Sequence, residues 1–219
     1  MKPLYIIGSG GFSKQVLEIV EEINTHKKEY ELVGIIDDDK SKLGKEVLGY
    51  KIIGDTNYLK CISENNVIYA VIAIADGKVR EKLSKNLLKV RWINLIHPKA
   101  IISKYTTMGE GNVICGGVII NPECEIGNHC NINISCTLGH DIVLDDYSTL
   151  MPGCNISGNV KIKSYSTVGT GSCIIQNKTI NENSYIGAGS VVIEDVEKNS
   201  LYVGVPAKKI KEHGFRRAL

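Results

Sequence analysis

Three stretches of this 219-residue chain combine residue types able to do chemistry. The first is Gly139-His140-Asp141. An imidazole takes or gives a proton near neutral pH, and an adjoining carboxylate orients it and supports it as a base. A surface histidine taken alone commonly does nothing, so its position matters as much as its type. The second stretch is Gly8-Ser9-Gly10-Gly11, which closes a short apolar run, Leu4 to Ile7. Backbone N–H groups at a strand-to-helix turn attract an anion such as phosphate, and missing side chains let it approach. Ser13 stands where the full glycine fingerprint has its third Gly, so the motif by itself is equally a tight turn. The third is Asp37-Asp38-Asp39, at the end of a second apolar run, Leu32 to Ile36. Carboxylates there contact a nucleoside, or form a solvated turn. In a parallel α/β sheet the second and third stretches meet at the carboxyl ends of adjacent strands, which strengthens the nucleotide reading of both.

The elements that must hold these residues are legible from spacing. Every sixth residue from Ile102 to Val192 is aliphatic or Met, sixteen positions without a break. A period of six fits neither a helix nor an ordinary strand and marks a parallel β-helix built of hexads. Three hexads make one triangular coil, so the run predicts about five coils. Two places before each aliphatic residue stands a mostly small side chain, including Cys124, Cys130, Cys136, Cys154, Ser166 and Ser190, suited to a crowded corner. The residue after the aliphatic one is often Gly or Asn, as at Gly109, Gly127, Asn133 and Gly139, and is expected to supply the positive φ of the corner. In this register His140 lies on a corner, outside the apolar interior.

Residues 1–96 read as an α/β unit with a parallel, doubly wound sheet, half of a dinucleotide fold. The predicted strands are Leu4 to Ile7, Leu32 to Ile36, a short piece at Lys51 to Gly54, and Val67 to Ala75. Helices are predicted over Ser13 to Ile23, Thr56 to Asn65 and Lys78 to Leu88. Residues 97–219 form the β-helix and its C-terminal cap, with a short basic tail expected to be helical after Val203 to Lys208.

Composition excludes several functions. With 26 basic and 24 acidic residues and no long basic block, nucleic acid is not expected as the main partner. The first residues carry too short an apolar run for a signal peptide, and no run reaches membrane-spanning length, so a cytoplasmic protein is expected. The seven cysteines form no Cys-x-x-Cys pair, and Cys124, Cys130, Cys136 and Cys154, in the small-residue place of the hexads, read as reduced packing residues. His129 lies on a corner without an acid beside it and is read as structural; no third corner histidine completes a zinc site, so no metal is expected.

Taken with Ser157-Gly158-Asn159-Val160 and Gly204-Val205-Pro206-Ala207-Lys208, these motifs make the chain resemble, over nearly its whole length, the bacterial sugar acetyltransferases. Within them it is most similar to the nucleotide-4-amino-sugar N-acetyltransferases and the sialic-acid-locus O-acetyltransferases. The resemblance implies a left-handed β-helix, a homotrimer with active sites between neighbouring subunits, and acetyl-CoA as donor. It implies His140 as catalytic base, Asp141 as the acid beside it, and Asn133 lining the acceptor site. It implies Gly10, Gly11, Asp37, Asp38 and Ala75 around the nucleotide sugar, and Gly158, Thr170 and Ala188 along the acetyl-CoA groove. Two residues depart from the pattern: Phe12 stands where relatives often carry His, near the sugar or phosphate, and Thr149 where some carry His, beside the thioester. The expected activity is N-acetylation of a nucleotide-linked 4-amino-4,6-dideoxy sugar in surface-glycan biosynthesis. The alternatives are O-acetylation of a sialic-acid-like sugar and a non-catalytic trimeric scaffold that senses a nucleotide.

Overall fold

The computed structural model describes residues 1–212. The chain begins with strand β1 (Lys2–Ile7), helix α1 (Gly11–His26) and strand β2 (Tyr30–Ile36). A short hairpin, β3 (Glu46–Val47) and β4 (Tyr50–Gly54), leads to α2 (Thr56–Ser63), β5 (Tyr69–Ile72), α3 (Gly77–Asn86) and β6 (Arg91–Trp92). The sheet runs β3-β4-β2-β1-β5-β6 and is parallel except for the β3–β4 pair. Its central strands are apolar on both faces, as helices on each side demand: Leu4 and Ile6 meet Val16, Leu17 and Val20 of α1, whereas Tyr5 and Ile7 belong to a separate cluster with Leu59, Leu83 and Leu87. Asp55 caps α2 through Tyr58 N–H at 2.9 Å, one residue before the expected Thr56.

From Leu95 onward each hexad forms one two-residue strand, and the expected aliphatic residue is always its second member. Successive coils pair in register eighteen residues apart, as in Asn131↔Thr149, Thr137↔Asn155 and Val143↔Lys161. The result is the left-handed β-helix of the expected fold class: three flat sheets of eight, six and five strands among the described residues, parallel except for the last strand of the first. The first face begins at Leu95–Ile96, the second at Ile101–Ile102, the third at Thr107–Met108. The aliphatic residues from Ile114 to Val192 are 0–3% exposed and fill the prism as one continuous stack. The small residues also point inward, and their polar atoms find carbonyls on the same coil. Ser148 Oγ donates to Lys163 O (3.1 Å), Ser172 Oγ to Gly187 O (2.8 Å), and Cys130 Sγ to Asp145 O (3.2 Å). That satisfies donors which would otherwise be costly inside an apolar tube.

Two expectations need correction. From Ile114 onward the positive φ of the corner belongs to the residue three places before each aliphatic one, including Gly111, His129, Asp141, Tyr147 and Asn159, and not to the residue after it. Gly there answers a shortage of space instead: a Cβ on Gly127 would stand 2.4 Å from Asp146 Oδ1, and one on Gly139 2.7 Å from Gly158 N. The tail expected to be helical continues as a strand, Ala207–Glu212, antiparallel to Ser200–Gly204 on the first face; residues 213–219 lie outside the described part.

The α/β sheet and its helices sit on the first face of the prism. Leu95, Val113 and Cys115 share a core with Leu4, Ile6 and Val16. Along the adjoining edge His129, Tyr147 and Tyr165 occupy successive coils, with ring centroids 5.5 and 5.6 Å apart, and Trp92 meets His129 edge-on at 5.0 Å. His129 is 3% exposed. Burial, and then the charge of Arg80, pushes its imidazole down to about 4 against a weaker pull from Asp146. The unfolded chain, with an ordinary histidine near 6.5, therefore binds the proton first as pH falls. Stability from this residue is fully present above pH 6.5 and is lost progressively down to about pH 4, by roughly 3 kcal/mol at about 1.4 kcal/mol per pH unit. Thermal melts at pH 7, 5.5 and 4.5 should show this slope, and His129→Asn should flatten it; equal slopes in the two proteins would refute the assignment.

Candidate active site

His140 stands on the edge between the second and third faces, with its side chain 70% exposed. Leu138, sealed in the prism two residues earlier, anchors its coil. The strand-ending hydrogen bond Gly139 N–H to Ile156 O (2.8 Å) fixes where the corner starts. Asp141 takes the positive-φ place with φ 58, and its carboxylate Oδ2 lies 2.5 Å from His140 Nδ1. With Nδ1 donating to a carboxylate, the tautomer leaves Nε2 as the proton acceptor. The ring lies over Gly158 on the next coil: a Cβ there would stand 2.6 Å from Nε2 and 2.7 Å from Cε1. Gly158 thus acts by leaving room for the imidazole. The Cys130 thiol offers no competing nucleophile: burial pushes it up to about 12, so it remains a thiol.

Thr170 and Ala188 occupy the same hexad place as His140 and Gly158, two after the aliphatic residue, but on the edge between the first and second faces. Asn133 is on that edge too, where its Oδ1 accepts from Ile134 N–H at 2.7 Å. One chain therefore presents the predicted groove residues on two different edges of the prism, with the second face between them.

The second constellation is a cleft of about 600 Å³ at the carboxyl ends of β1, β2 and β5, lined by Gly8, Asp37, Asp38, Thr56, Asn57, Lys60, Ile74, Lys82 and Asn86 among others. Asp37 and Asp38 meet there with the start of the glycine turn, as the sequence predicted. Asp37, however, is largely occupied by the fold. Its Oδ2 accepts from Ser9 N–H (3.0 Å), the Ser9 hydroxyl and Lys42 Nζ (3.1 Å), and its Oδ1 from Asp39 N–H (2.9 Å). Burial disfavours its charge, but these donors outweigh that and hold the carboxyl below its ordinary range. Asp38 Oδ1 accepts from Thr56 N–H (2.8 Å). Gly10 caps α1 without a side-chain contact, and Gly10 and Gly11 both face open space, which leaves the helix N-terminus accessible. Phe12 packs against the Leu4–Val16 core, a packing role where a polar contact is implied in relatives.

Two predicted residues are placed differently. Thr149 is 3% exposed on the covered first face; its hydroxyl donates to Ala75 O (3.1 Å) and lies 3.1 Å from Arg80 Nη2. It belongs to the joint between α/β unit and prism, and a thioester beside it would have to displace those bonds. The Ala75 carbonyl is likewise taken, by Thr149 and by Arg80 Nη1 (2.8 Å). Sequence reasoning missed Thr56, Asn57, Lys60, Lys82 and Asn86 as cleft residues and Arg80 as the centre of the joint. A helical count would have placed Lys82 and Asn86 on one face of α3, but nothing in the sequence says which face meets a cleft.

The sequence profile of the PglD N-terminal domain matches residues 3–87. GDP-perosamine N-acetyltransferase of Escherichia coli O157:H7 is 29% identical over 152 residues, a stretch covering 68% of this chain and 66% of that protein. The structure of perosamine N-acetyltransferase from Caulobacter crescentus, in complex with CoA and GDP-perosamine, superposes with a TM-score of 0.89 at 30% identity, covering 97% of this chain and 98% of that one. It is a variant in which one histidine is replaced by asparagine. The acetyltransferase domain of PglB from Neisseria gonorrhoeae, in complex with acetyl coenzyme A, gives 0.85 at 28% identity, covering 95% and 99%.

Proposed function

The chain belongs to the bacterial sugar N-acetyltransferase family, and on that premise we propose that it transfers the acetyl group of acetyl-CoA to the amino group of a nucleotide-linked 4-amino-4,6-dideoxy sugar. The observation that carries this reading is the His140–Asp141 pair on an open corner, with Nε2 free above Gly158. The solved relatives bound to CoA together with a nucleotide sugar supply the two substrates. The nucleotide occupies the cleft at Asp37 and Asp38, its phosphates near Gly10 and Gly11, and the sugar reaches toward a prism edge. The amine nitrogen adds to the thioester carbonyl carbon while His140 Nε2 takes its proton. The C–S bond then breaks, and the CoA thiolate leaves and is protonated. No acyl-enzyme forms.

The working unit in this proposal is a cytoplasmic homotrimer acting in surface-glycan synthesis. Ile101 and Ile119, on adjacent strands of the outer second face, are 65% and 38% exposed, and Ile134 at its edge with the first face is 43% exposed, an apolar patch suited to a second copy. A neighbouring subunit would bring its Thr170–Ala188 edge to the His140–Gly158 edge, which a single chain keeps apart. The α/β unit over residues 1–96 binds acceptor, and the prism over residues 97–219 binds donor.

The test is thermal shift followed by turnover. CoA at a hundred times its Kd stabilises by about 2.7 kcal/mol, which for a chain of this size raises Tm by about 5–10 °C. GDP, UDP and dTDP are compared in the same way. A panel of nucleotide-linked amino sugars with acetyl-CoA, read by mass spectrometry, should show a gain of one acetyl group on nitrogen. Stabilisation by nucleotide without any response to CoA would point to a sensor instead, and acetyl found on oxygen would replace the amine acceptor.

A further inference from the structure

Helix α3 has two working faces. Val79, Lys82, Leu83 and Asn86 line the nucleotide cleft. Arg80, Glu81 and Ser84 face the prism. Arg80 is completely buried. Its Nε donates to His129 O (2.8 Å), its Nη1 to Ile74 O (2.9 Å) and Ala75 O (2.8 Å), and its Nη2 to Tyr147 O (2.5 Å), Ser148 O (3.0 Å) and Thr149 Oγ1 (3.1 Å). One guanidinium thereby joins three bodies: the helix that walls the cleft, the Ile74–Ala75 strap behind it, and two successive coils of the prism. Outside it the Tyr165 hydroxyl donates to Glu81 Oε1 (2.9 Å) and the Ser84 and Tyr147 hydroxyls share a bond of 3.1 Å. The approach is close enough that a Cβ on Gly77 would stand 2.3 Å from Tyr147 O.

We propose that Arg80 is a positioning residue for acetyl transfer: it fixes the nucleotide cleft relative to the prism whose edges, brought together between subunits, carry the reacting groups. This rests on the function proposed above. The sugar hangs from a nucleotide held in the cleft, and its amine must come within about 3–3.5 Å of the thioester carbon. The position of the cleft relative to the prism therefore enters the reacting distance directly. The planar guanidinium fixes direction as well as distance because its N–H groups leave in set directions within one plane, whereas an ammonium acts as a point with three rotatable donors.

Of these six hydrogen bonds only the one to Ile74 O reaches the cleft lining, through a backbone carbonyl, and none reaches His140, so replacing Arg80 should separate binding from turnover. In Arg80→Lys, Kd for GDP or UDP and for CoA, by calorimetry, should stay within about threefold, while kcat for the best acceptor of the panel falls about 10–100-fold. Should Arg80→Lys fail to fold, Gly77→Ala supplies the same test from the outside: its Cβ wedges α3 away from Tyr147 and should give the same split. Amide hydrogen exchange over Ile74 to Val79 should quicken in either variant. Unchanged kcat, or Kd values that weaken in step with kcat, would overturn the positioning role. A wild-type protein that acetylates no member of the panel overturns the functional reading itself, a result distinct from an active wild type matched by its variants.

Discussion

Replacing His140 by Ala or Asn should lower kcat by about 10²–10⁴-fold, the usual contribution of a positioned general base. The side chain is exposed, and nothing in the prism rests on it except the contact with Gly158. Stability, oligomeric state and the thermal shift with CoA should therefore stay as in the wild type. Asp141→Asn should have a smaller effect, since it keeps a polar group beside Nδ1 but loses the charge that selects the tautomer. The measurement is initial rate with the preferred acceptor at saturating acetyl-CoA, alongside sedimentation or light scattering. A His140→Ala protein within tenfold of wild-type turnover would remove the proton-transfer role assigned to this corner.

The largest effect on stability is expected from the interior of the same coil. Leu138 is fully buried, with Ile120 and Ile156 in register on the coils to either side. Truncation to Ala removes the methyl groups that fill the tube and leaves a cavity that two flat sheets cannot close. The cost should be about 2–5 kcal/mol, a fall in Tm of about 4–20 °C for a chain of this length. Lys161→Ala, on the exposed outer side of the third face, is the control and should stay within about 0.5 kcal/mol. Because each coil touches only its neighbours, hydrogen exchange should rise around Leu138 and much less at the N-terminal sheet. A Leu138→Ala protein as stable as the control would mean that the tube is not packed as described.

Much of this molecule is written in local pattern. A six-residue period seals one side chain per strand, so Ile114, Ile132 and Leu138 identify themselves as interior, and His140, two places on, identifies itself as a corner residue. The glycine turn and the Asp pair likewise announce a strand-to-helix turn and a strand end, and in a parallel sheet these have to meet. Local pattern misled where two different reasons select the same residue type. Glycine at the place after the aliphatic residue suggests a positive φ, but the rung above crowds that site, and the φ constraint falls at another place where His129, Asp141 and Tyr147 accept it. The described start of the tail departs from the helical expectation because Lys and Ile at 208–211 suit a helix as readily as a strand, and the open end of a sheet decides for the strand.

What the sequence determined alone is whatever depends on a residue and its near neighbours: the hexad register, the sealed interior, the corner histidine with its carboxylate, the open glycine turn. What only the tertiary structure decided is what depends on which surface is covered. Thr149 and Ala75 look available in the chain and are spent in the joint, and Arg80 looks like one more charged residue on a helix yet ties that helix to the prism through four hydrogen bonds. The reason is physical. A side chain's partners across a joint lie some fifty to seventy residues away, and no periodicity in either segment carries information about the surface that the other will present to it.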